Sequence, residues 1–199
     1  RIVKKDLAAC SINITIDPDT YLYTGEEIIP DIDTFEIDGR TLDAAEIARE
    51  FDIASGAVDA SENAYTFTIK GKKNYEGTAD SGTFGAGGVK FTIQRQDIAS
   101  SDVWVEPIPN QAYDEGNAVE PVPVITCNGK ELVLGEDFTV TWENNTDRDI
   151  DVTNEDDLPA AIIRGEGNFN GTRKVYFHIR ESISAADITW GDLEFNYTS

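Results

Sequence analysis

The chain has 199 residues, 40% hydrophobic and 27% charged, and its 38 acidic against 16 basic side chains give a formal net charge of −22. These are the proportions of a globular protein and not of a disordered acidic tail. The negative charge would repel nucleic acid and an anionic bilayer, and no apolar run approaches the roughly 20 residues of a membrane-spanning helix. We therefore expect no nucleic-acid partner and no membrane insertion in this segment. Because the chain begins at Arg1, lacks Met and has no signal-peptide pattern, we expect it to be part of a longer protein.

Alternating strands and tight turns dominate the chain. Asp38-Gly39 and Asn128-Gly129 are typical of two-residue hairpin turns, because both central positions of such a turn need positive φ. Residues 41–51 alone favour a helix, of one or two turns, and the Gly-rich residues 81–88 predict an extension of a hairpin. Apolar and polar residues alternate with period two, as in strands with one buried face, over residues 65–69, 89–93, 138–142 and 175–179.

The strongest pattern is an internal repeat. The turn-like motif Gly71-x-x-Asn74-Tyr75-x-Gly77-Thr78 recurs 94 residues later as Gly165-x-x-Asn168-Phe169-x-Gly171-Thr172. In this turn we expect Gly71 and Gly77 to adopt left-handed backbone conformations and the aromatic residue to cover the end of a core. Residues 2–12 are likewise similar to residues 93–103, and a further copy begins at Ile179. A period near 90 predicts two domains, residues 1–94 and 95–180, and a truncated third, residues 181–199.

The motifs of the first copy resemble a known family. Tyr23-Thr24-Gly25 with Ile29-Pro30, the Asp38-Gly39 turn and the Gly71 motif together resemble the Ig-like tandem repeats of surface proteins in Gram-positive gut and oral bacteria. The second copy matches in Asp137-Phe138-x-Val140 and departs at Tyr113-Asp114, where the Thr is missing. The resemblance covers nearly the whole chain and implies an Ig-like fold, an extracellular, wall-attached or secreted context and a stalk or adhesive role. It implies no catalytic residue, because each motif is a turn or core signature.

Cysteine and histidine are too few for most metal or nucleophilic chemistry. Cys10 and Cys127 fall at non-equivalent positions of different copies, which favours two unpaired, buried or half-buried thiols over a disulfide. One His and two distant Cys cannot supply a four-ligand zinc site. Alternation over residues 175–179 places His178 on the wet face of its strand, beside Tyr176 and Arg180. The sequence therefore predicts no enzyme, since nothing marks a pair of carboxylates or a nucleophile–base couple as special.

An acidic loop at residues 147–157 is the candidate metal site. Asp147, Asp149 and Asp151 have the alternate spacing of calcium loops, because a hard cation prefers several carboxylate oxygens. The helix–loop–helix version fails, since Val152 stands where Gly is required and Leu158 where a bidentate Glu is required. Two interpretations stay open: a looser calcium loop, and a solvated acidic loop on an acidic protein, which is favoured.

Three tryptophans are the candidate ligand contacts. Trp104, Trp142 and Trp190 could stack on sugar rings, but they do not occupy one repeat position, and Trp142 ends an alternating core strand. Packing in the core or at a domain edge is the favoured interpretation over a glycan platform.

The sequence thus predicts an all-β fold of two tandem Ig-like antiparallel β-sandwiches, with one short helical insertion in the first. The link over residues 94–102 has no run of Gly or Pro, which predicts an elongated and fairly rigid pair. The expected role is that of a non-enzymatic extracellular spacer or stalk segment of a larger bacterial cell-surface protein, with neighbouring repeats of the same chain as partners. The alternative is a module that binds a host protein or glycan directly, with calcium, the one cofactor considered, stabilising it.

Overall fold

The computed structural model describes residues 3–148 and 154–181 of the chain. Strands dominate these residues, and within them the one α-helix is α1 (Ala44–Glu50). The strands of the first half are β1 (Lys5–Asp6), β2 (Ile12–Ile16), β3 (Thr20–Leu22), β4 (Ile32–Ile37), β5 (Arg40–Thr41), β6 (Phe51–Ala54), β7 (Ser61–Tyr65), β8 (Thr68–Gly71), β9 (Tyr75–Glu76), β10 (Thr78–Asp80) and β11 (Phe91–Gln94).

The second half begins with β12, and one residue separates β12 from β11. Its strands are β12 (Gln96–Asp97), β13 (Val103–Val105), β14 (Gln111–Ala112), β15 (Ile125–Cys127), β16 (Lys130–Glu131), β17 (Phe138–Glu143), β18 (Ala160–Gly165), β19 (Phe169–Asn170), β20 (Thr172–Tyr176) and β21 (Ile179–Arg180). An all-β chain with a short helix in its first half, as the sequence predicts, is therefore what the described residues contain.

Strand pairing in the two halves follows one plan. The sheets β2-β4-β5 and β10-β8-β6 of the first half correspond to β13-β15-β16 and β17-β18-β20 of the second. The parallel pairs β1-β9 and β3-β11 correspond to the parallel pairs β12-β19 and β14-β21. Even the register agrees, since Ile37 lies opposite Ile12 and Arg40, and Cys127 lies opposite Val103 and Lys130. We call β1–β11 the first repeat and β12–β21 the second repeat.

Each repeat has its own apolar core, which lies between its sheets. In the first repeat Phe35 of β4 stacks on Phe51 of β6, with ring centroids 4.9 Å apart, so the two three-stranded sheets meet there. The same pairing positions supply both cores: Leu7, Ile14, Phe35, Ile37, Leu42, Phe51 and Ile69 in the first, and Ile98, Val105, Ile125, Cys127, Leu132, Phe138 and Ile163 in the second.

The predicted hairpin turns are confirmed. Asp38 and Asn128 have φ of 52° and 50°, and each is followed by a glycine with positive φ. The repeated turn differs from its prediction in one respect. Gly77 is left-handed, with φ of 83°, but Gly71 is not. Gly71 is required for another reason, because a Cβ there would lie 2.6 Å from the backbone of Tyr75.

Two predicted strands are interrupted where the chain passes from one sheet to another. Residues 65–69 are divided between β7, which pairs with β11, and β8, which pairs with β6 and β10. Residues 175–179 are divided between β20 and β21 in the same way. Alternation continues through each crossing, because Phe67 and Phe177 stay buried in the core, so the sequence pattern alone does not reveal the change of sheet. The Gly-rich residues 81–88 form the longer crossing from β10 to β11 and not a hairpin extension.

The helix α1 lies within the predicted residues 41–51 and has the expected length of about two turns. Asp43 and Glu46 form a capping box at its N-terminus, which satisfies two backbone N–H groups of the first turn. Ala45 and Ala48 are exposed. Ile47 packs against the first core, and the buried residue of α1 is Glu50.

Candidate functional site at the junction of the two repeats

The two repeats meet with almost no linker. One residue, Arg95, separates β11 of the first repeat from β12 of the second. The Gln94 carbonyl accepts from the Tyr23 backbone N–H at 2.9 Å, and the Gln96 N–H donates to the Asn168 carbonyl at 3.0 Å. Backbone hydrogen bonds therefore hold the chain on both sides of Arg95, and few torsions are left to act as a hinge. We call the surface between the two repeats the junction.

A hairpin of the second repeat contacts a loop of the first. The Asn128 side-chain amide donates to the Thr24 carbonyl at 3.2 Å, and Lys130 Nζ donates to the Gly25 carbonyl at 2.8 Å. Lys130 also forms an ion pair with Glu26, with Nζ 2.5 Å from the carboxylate. Both partners of this ion pair are more than half exposed, so it contributes orientation more than energy. The Asn128-Gly129 turn, predicted only as a hairpin, is thus also the contact that positions Lys130.

The repeated turn forms the second polar contact. Asn168 Oδ1 accepts from the Ala60 backbone N–H at 2.8 Å, and its Nδ2 donates to the Asp59 carboxylate at 2.9 Å. A side-chain amide that uses both its acceptor and its donor fixes its partner in position and orientation. Together with the hairpin contact, this one constrains the second repeat at two separate points.

An aromatic pair lies at the junction. The rings of Tyr23 in the first repeat and Phe169 in the second meet edge to face, with centroids 5.5 Å apart. Tyr23 packs against both cores, whereas Phe169 belongs to the second. Desolvation, with the carboxylates of Asp137 and Asp59 adding to it, raises the pKa of the Tyr23 phenol. The phenol therefore stays neutral over the physiological range, and the junction keeps an uncharged, partly apolar centre.

Cavities flank the junction. One of about 170 Å³ is enclosed by Tyr23, Cys127, Leu132 and Phe169, with Lys130 at its edge. A more open cleft of about 550 Å³ lies beside Arg95 and is lined by residues of β7 and β11 and by Asn170. The side chains that meet here form amide, ion-pair and ring contacts, an arrangement that holds two bodies together and offers no nucleophile with an aligned base.

In the first repeat, helix α1 occupies the position that the neighbouring repeat takes in the second. Arg40, the counterpart of Lys130, forms an ion pair with Glu46 of α1. Asn74, the counterpart of Asn168, donates its side-chain amide to Glu50 at 2.9 Å. The insertion thus satisfies within one repeat the polar groups that are satisfied across the junction in the other.

The calcium candidate is only partly described. Asp147 is exposed after β17, whereas Asp149 and Asp151 lie outside the described residues. The acidic residues 155–157 form a short 3-10 turn that the Asn154 side chain caps. Across residues 3–148 and 154–181, no three His, Cys, Asp or Glu side chains are grouped so as to hold a metal ion.

The tryptophans lie in different environments. Trp142 is half-buried at the end of β17, and its indole N–H donates to the Pro121 carbonyl at 3.0 Å, as expected of packing at an edge. Trp104 is 60% exposed on β13, so the expectation that it packs in the core is wrong. Trp190 lies outside the described residues.

The remaining candidates are the histidine and the two cysteines. His178 is half-buried and not exposed, because it lies at the crossing from β20 to β21, where Arg180 Nη2 is 3.3 Å from its Nδ1. Cys10 is half-buried and Cys127 is buried. Burial raises the pKa of both thiols, which disfavours the reactive thiolate.

Sequence reasoning missed the residues of the junction. Glu26 lies between the two parts of the Tyr23 motif but is not itself a motif residue, and Asp59 lies in a loop without a motif, while Asn128 and Asn168 were assigned to turns alone. Comparisons with protein-family models, curated proteins and solved structures find no significant match to this chain. The described residues include no helix whose length and apolar character would allow it to cross a membrane.

Proposed function

We propose that this chain is a non-enzymatic stalk or spacer segment of a larger extracellular bacterial surface protein, built from two tandem Ig-like sandwiches, residues 1–94 and 95–180. The observation that carries the proposal is the junction. One residue links the repeats, and the side chains of Asn128, Lys130 and Asn168 form hydrogen bonds with the first repeat at two separate points. A segment that must hold a distal domain at a distance needs such a joint, because a flexible linker would let the chain fold back.

The strand plan supports the Ig-like assignment. In each repeat two three-stranded sheets with antiparallel pairing contribute to one core, which is the layer arrangement of a sandwich. The parallel pairs β1-β9 and β12-β19 tie the start of each repeat to its characteristic turn. Of the motifs on which the resemblance rests, the Gly71 motif forms this turn and Tyr23-Thr24-Gly25 lies at the junction.

The charge of the chain fits an extended array. A formal charge of −22 makes neighbouring molecules repel each other and keeps a densely displayed protein soluble. Since the repulsion also acts along the chain, it favours extension over collapse of successive repeats.

Solution scattering tests the stalk proposal. The wild-type chain should give a scattering curve that one elongated arrangement explains, and a variant with Lys130→Ala and Asn168→Ala should give a broader distribution of interatomic distances. Lys174→Ala is the matched control, because Lys174 pairs with Glu143 inside the second repeat. A wild-type chain that already samples many arrangements, or a double variant that scatters like the control, contradicts the rigid stalk.

The location is tested separately. Antibodies against the purified chain should label intact, unpermeabilised cells of the source organism, and brief protease treatment of those cells should remove the label. Labelling that requires permeabilised cells contradicts the extracellular assignment, whatever the scattering result.

A further inference from the structure

The outer face of the sheet β13-β15-β16 carries a large exposed indole. Along β13 the side chains of Val103 and Val105 point into the second core, so Trp104 between them points outward. Its exposed fraction of 60% is unusual for an aromatic side chain of this size. The backbone that carries the indole is firmly placed, since β13 pairs with β15 over its whole length.

The register of the sheet defines the neighbours of Trp104. Thr126 of β15 lies directly opposite Trp104, and Glu131 of β16 lies opposite Thr126. The next row pairs Glu106 with Val124, whose carbonyl accepts from the Glu106 N–H at 2.9 Å. Neighbours in a row lie about 5 Å apart and diagonal neighbours about 7–8 Å, within reach of an indole ring. The face therefore joins an exposed apolar patch, Trp104 with the 40% exposed Val124, to a hydroxyl and two carboxylates.

The fold of the repeat does not require an aromatic residue on this face. In the first repeat, the counterpart of Trp104 is Asn13, which pairs with Glu36 as Trp104 pairs with Thr126. The counterparts on that face are polar and linked to each other, as in the Asn13–Glu36 hydrogen bond and the 2.6 Å contact between the hydroxyls of Thr15 and Thr34. Both repeats keep the same core positions and pairing but differ on this exposed face. An exposed aromatic residue that neither folding nor the repeat demands points to binding.

We propose that this face of the second repeat binds an uncharged glycan, with one pyranose ring stacked on Trp104. The C–H face of a pyranose is apolar and flat, so it fits an indole that lies on an open sheet. Its hydroxyls can donate to the carboxylates of Glu106 and Glu131, and Thr126 can donate or accept. This inference is independent of the stalk role, because it concerns one face of one repeat and not the junction.

Charge argues against anionic glycans and against a second copy of this chain as the occupant. The two flanking carboxylates and the net charge of −22 disfavour sulfated, sialylated or uronic polymers. The same charges disfavour a second copy of this chain, since two such faces would bring four carboxylates together around a small patch. A neutral ring with many hydroxyl donors is the occupant that both the indole and the carboxylates accommodate.

A glycan panel with matched variants tests the proposal. The probes are neutral oligosaccharides of glucose, mannose, galactose and N-acetylglucosamine, with oligogalacturonate and sialyllactose as charged members, and binding is measured by calorimetry. At least one neutral probe should bind, and Trp104→Ala should weaken it about tenfold or more, as truncation of a central aromatic anchor does. Trp104→Phe, which keeps a stacking ring, should bind more tightly than the alanine variant, and Thr126→Val should bind more weakly than wild type.

The control variant is Leu22→Ala, which removes an exposed apolar side chain of the first repeat, 53% exposed, and should bind as wild type does. The proposal is overturned if no neutral probe binds, if only charged probes bind, or if Trp104→Ala binds as wild type does. It is equally overturned by Trp104-dependent self-association in sedimentation equilibrium. Trp104-dependent binding to a glycoprotein that persists after enzymatic removal of its glycans would identify a protein surface instead and overturn the proposal as well.

Discussion

Glu50 is a buried carboxylate that accepts three hydrogen bonds. It is 3% exposed, and it accepts from the Asn74 backbone N–H at 3.0 Å and from the Asn74 side-chain amide at 2.9 Å. Arg49 Nε donates to it at 2.9 Å. These interactions, the Asn74 backbone N–H foremost, lower the pKa of the Glu50 carboxyl below its ordinary value. The charge is thus retained at a buried position because three hydrogen bonds from Asn74 and Arg49 replace bonds to water.

The lowered pKa of Glu50 predicts a loss of stability in acid. The folded state holds the ionised form more strongly than the unfolded chain, so the stabilisation is fully present above the ordinary glutamate pKa of about 4.3. It is lost as the pH falls through the lower folded value. We expect Glu50→Gln to be less stable than wild type at pH 7 and the difference to shrink toward pH 3, as measured by urea denaturation. Protonation also relieves the repulsion of a −22 chain, so only the difference between the two proteins isolates Glu50.

The exposed Glu62→Gln is the matched control, and its difference from wild type should not change with pH in this way. Parallel stability curves for wild type and Glu50→Gln across this range would contradict the assignment.

The two thiols should react at different rates. Cys127 is 5% exposed in the second core, whereas Cys10 is half-buried near the surface. Burial raises the pKa of both, but a reagent can reach Cys10 without unfolding of a core. In the native chain at pH 8 we expect an aromatic disulfide reagent to label Cys127 at least about tenfold more slowly than Cys10, since labelling needs local opening. The Cys10→Ser variant should show only the slow phase of labelling, and the Cys127→Ser variant should show only the fast phase. Equal labelling rates of the two thiols would contradict the burial of Cys127.

At the scale of elements, the repeated turn depends on glycines that no other residue replaces. A Cβ on Gly71 would lie 2.6 Å from the Tyr75 backbone, and one on Gly165 would lie 2.6 Å from the Asn170 carbonyl. Without a Cβ, the glycine at the end of β8 and the one at the end of β18 can lie in contact with the backbone of the turn that follows each strand. The motif therefore recurs because of packing within each repeat. Its Asn side chain forms hydrogen bonds with α1 in the first repeat, and in the second repeat it forms them with the first repeat.

Alanine at these glycines should therefore destabilise the fold. We expect Gly71→Ala and Gly165→Ala each to lower the free energy of unfolding by about 1–3 kcal/mol, because backbone has to move to relieve the clash. Gly87→Ala is the matched control, since a Cβ there meets nothing within 4 Å, and it should stay within about 0.5 kcal/mol of wild type. Chemical denaturation measures all three, and a cost at Gly87 equal to that at Gly71 would contradict the close-approach explanation.

At the scale of the whole molecule, the two cores share one side chain. Tyr23 packs against both, so the unfolding of either repeat removes contacts from the other. This link, with the polar contacts of the junction, is expected to make the repeats unfold together, although each has its own core.

Truncation of Tyr23 should uncouple the repeats. In calorimetry we expect one transition for wild type and two for Tyr23→Ala, with about 1–3 kcal/mol of stability lost because a half-buried ring contact is removed. Tyr23→Phe keeps the ring against Phe169 and should keep one transition. Two transitions in wild type, or one in Tyr23→Ala, would contradict the shared-core explanation.

Local signals in the sequence predicted the hairpin turns and the existence of the helix well. Asp38-Gly39 and Asn128-Gly129 adopt positive φ because the turn type needs it, and this preference acts over two residues. The crossings at Phe67 and Phe177 were missed, since a side chain can stay in one core while its backbone changes sheet. The burial of Glu50 in α1 was not predicted, because its partner Asn74 lies 24 residues away in the chain.

The sequence by itself determined the strand character, the tight turns and the recurrence of one pattern about 90 residues apart, because these depend on residues that are neighbours or on a comparison of the chain with itself. Only the tertiary structure decided that Asn168 and Lys130 hold the first repeat, and that Trp104 lies outside the core. Both depend on contacts between residues that lie far apart in the chain, such as the 108 residues between Ala60 and Asn168. Periodicity and turn chemistry act locally, whereas burial and partner choice are settled when distant surfaces meet.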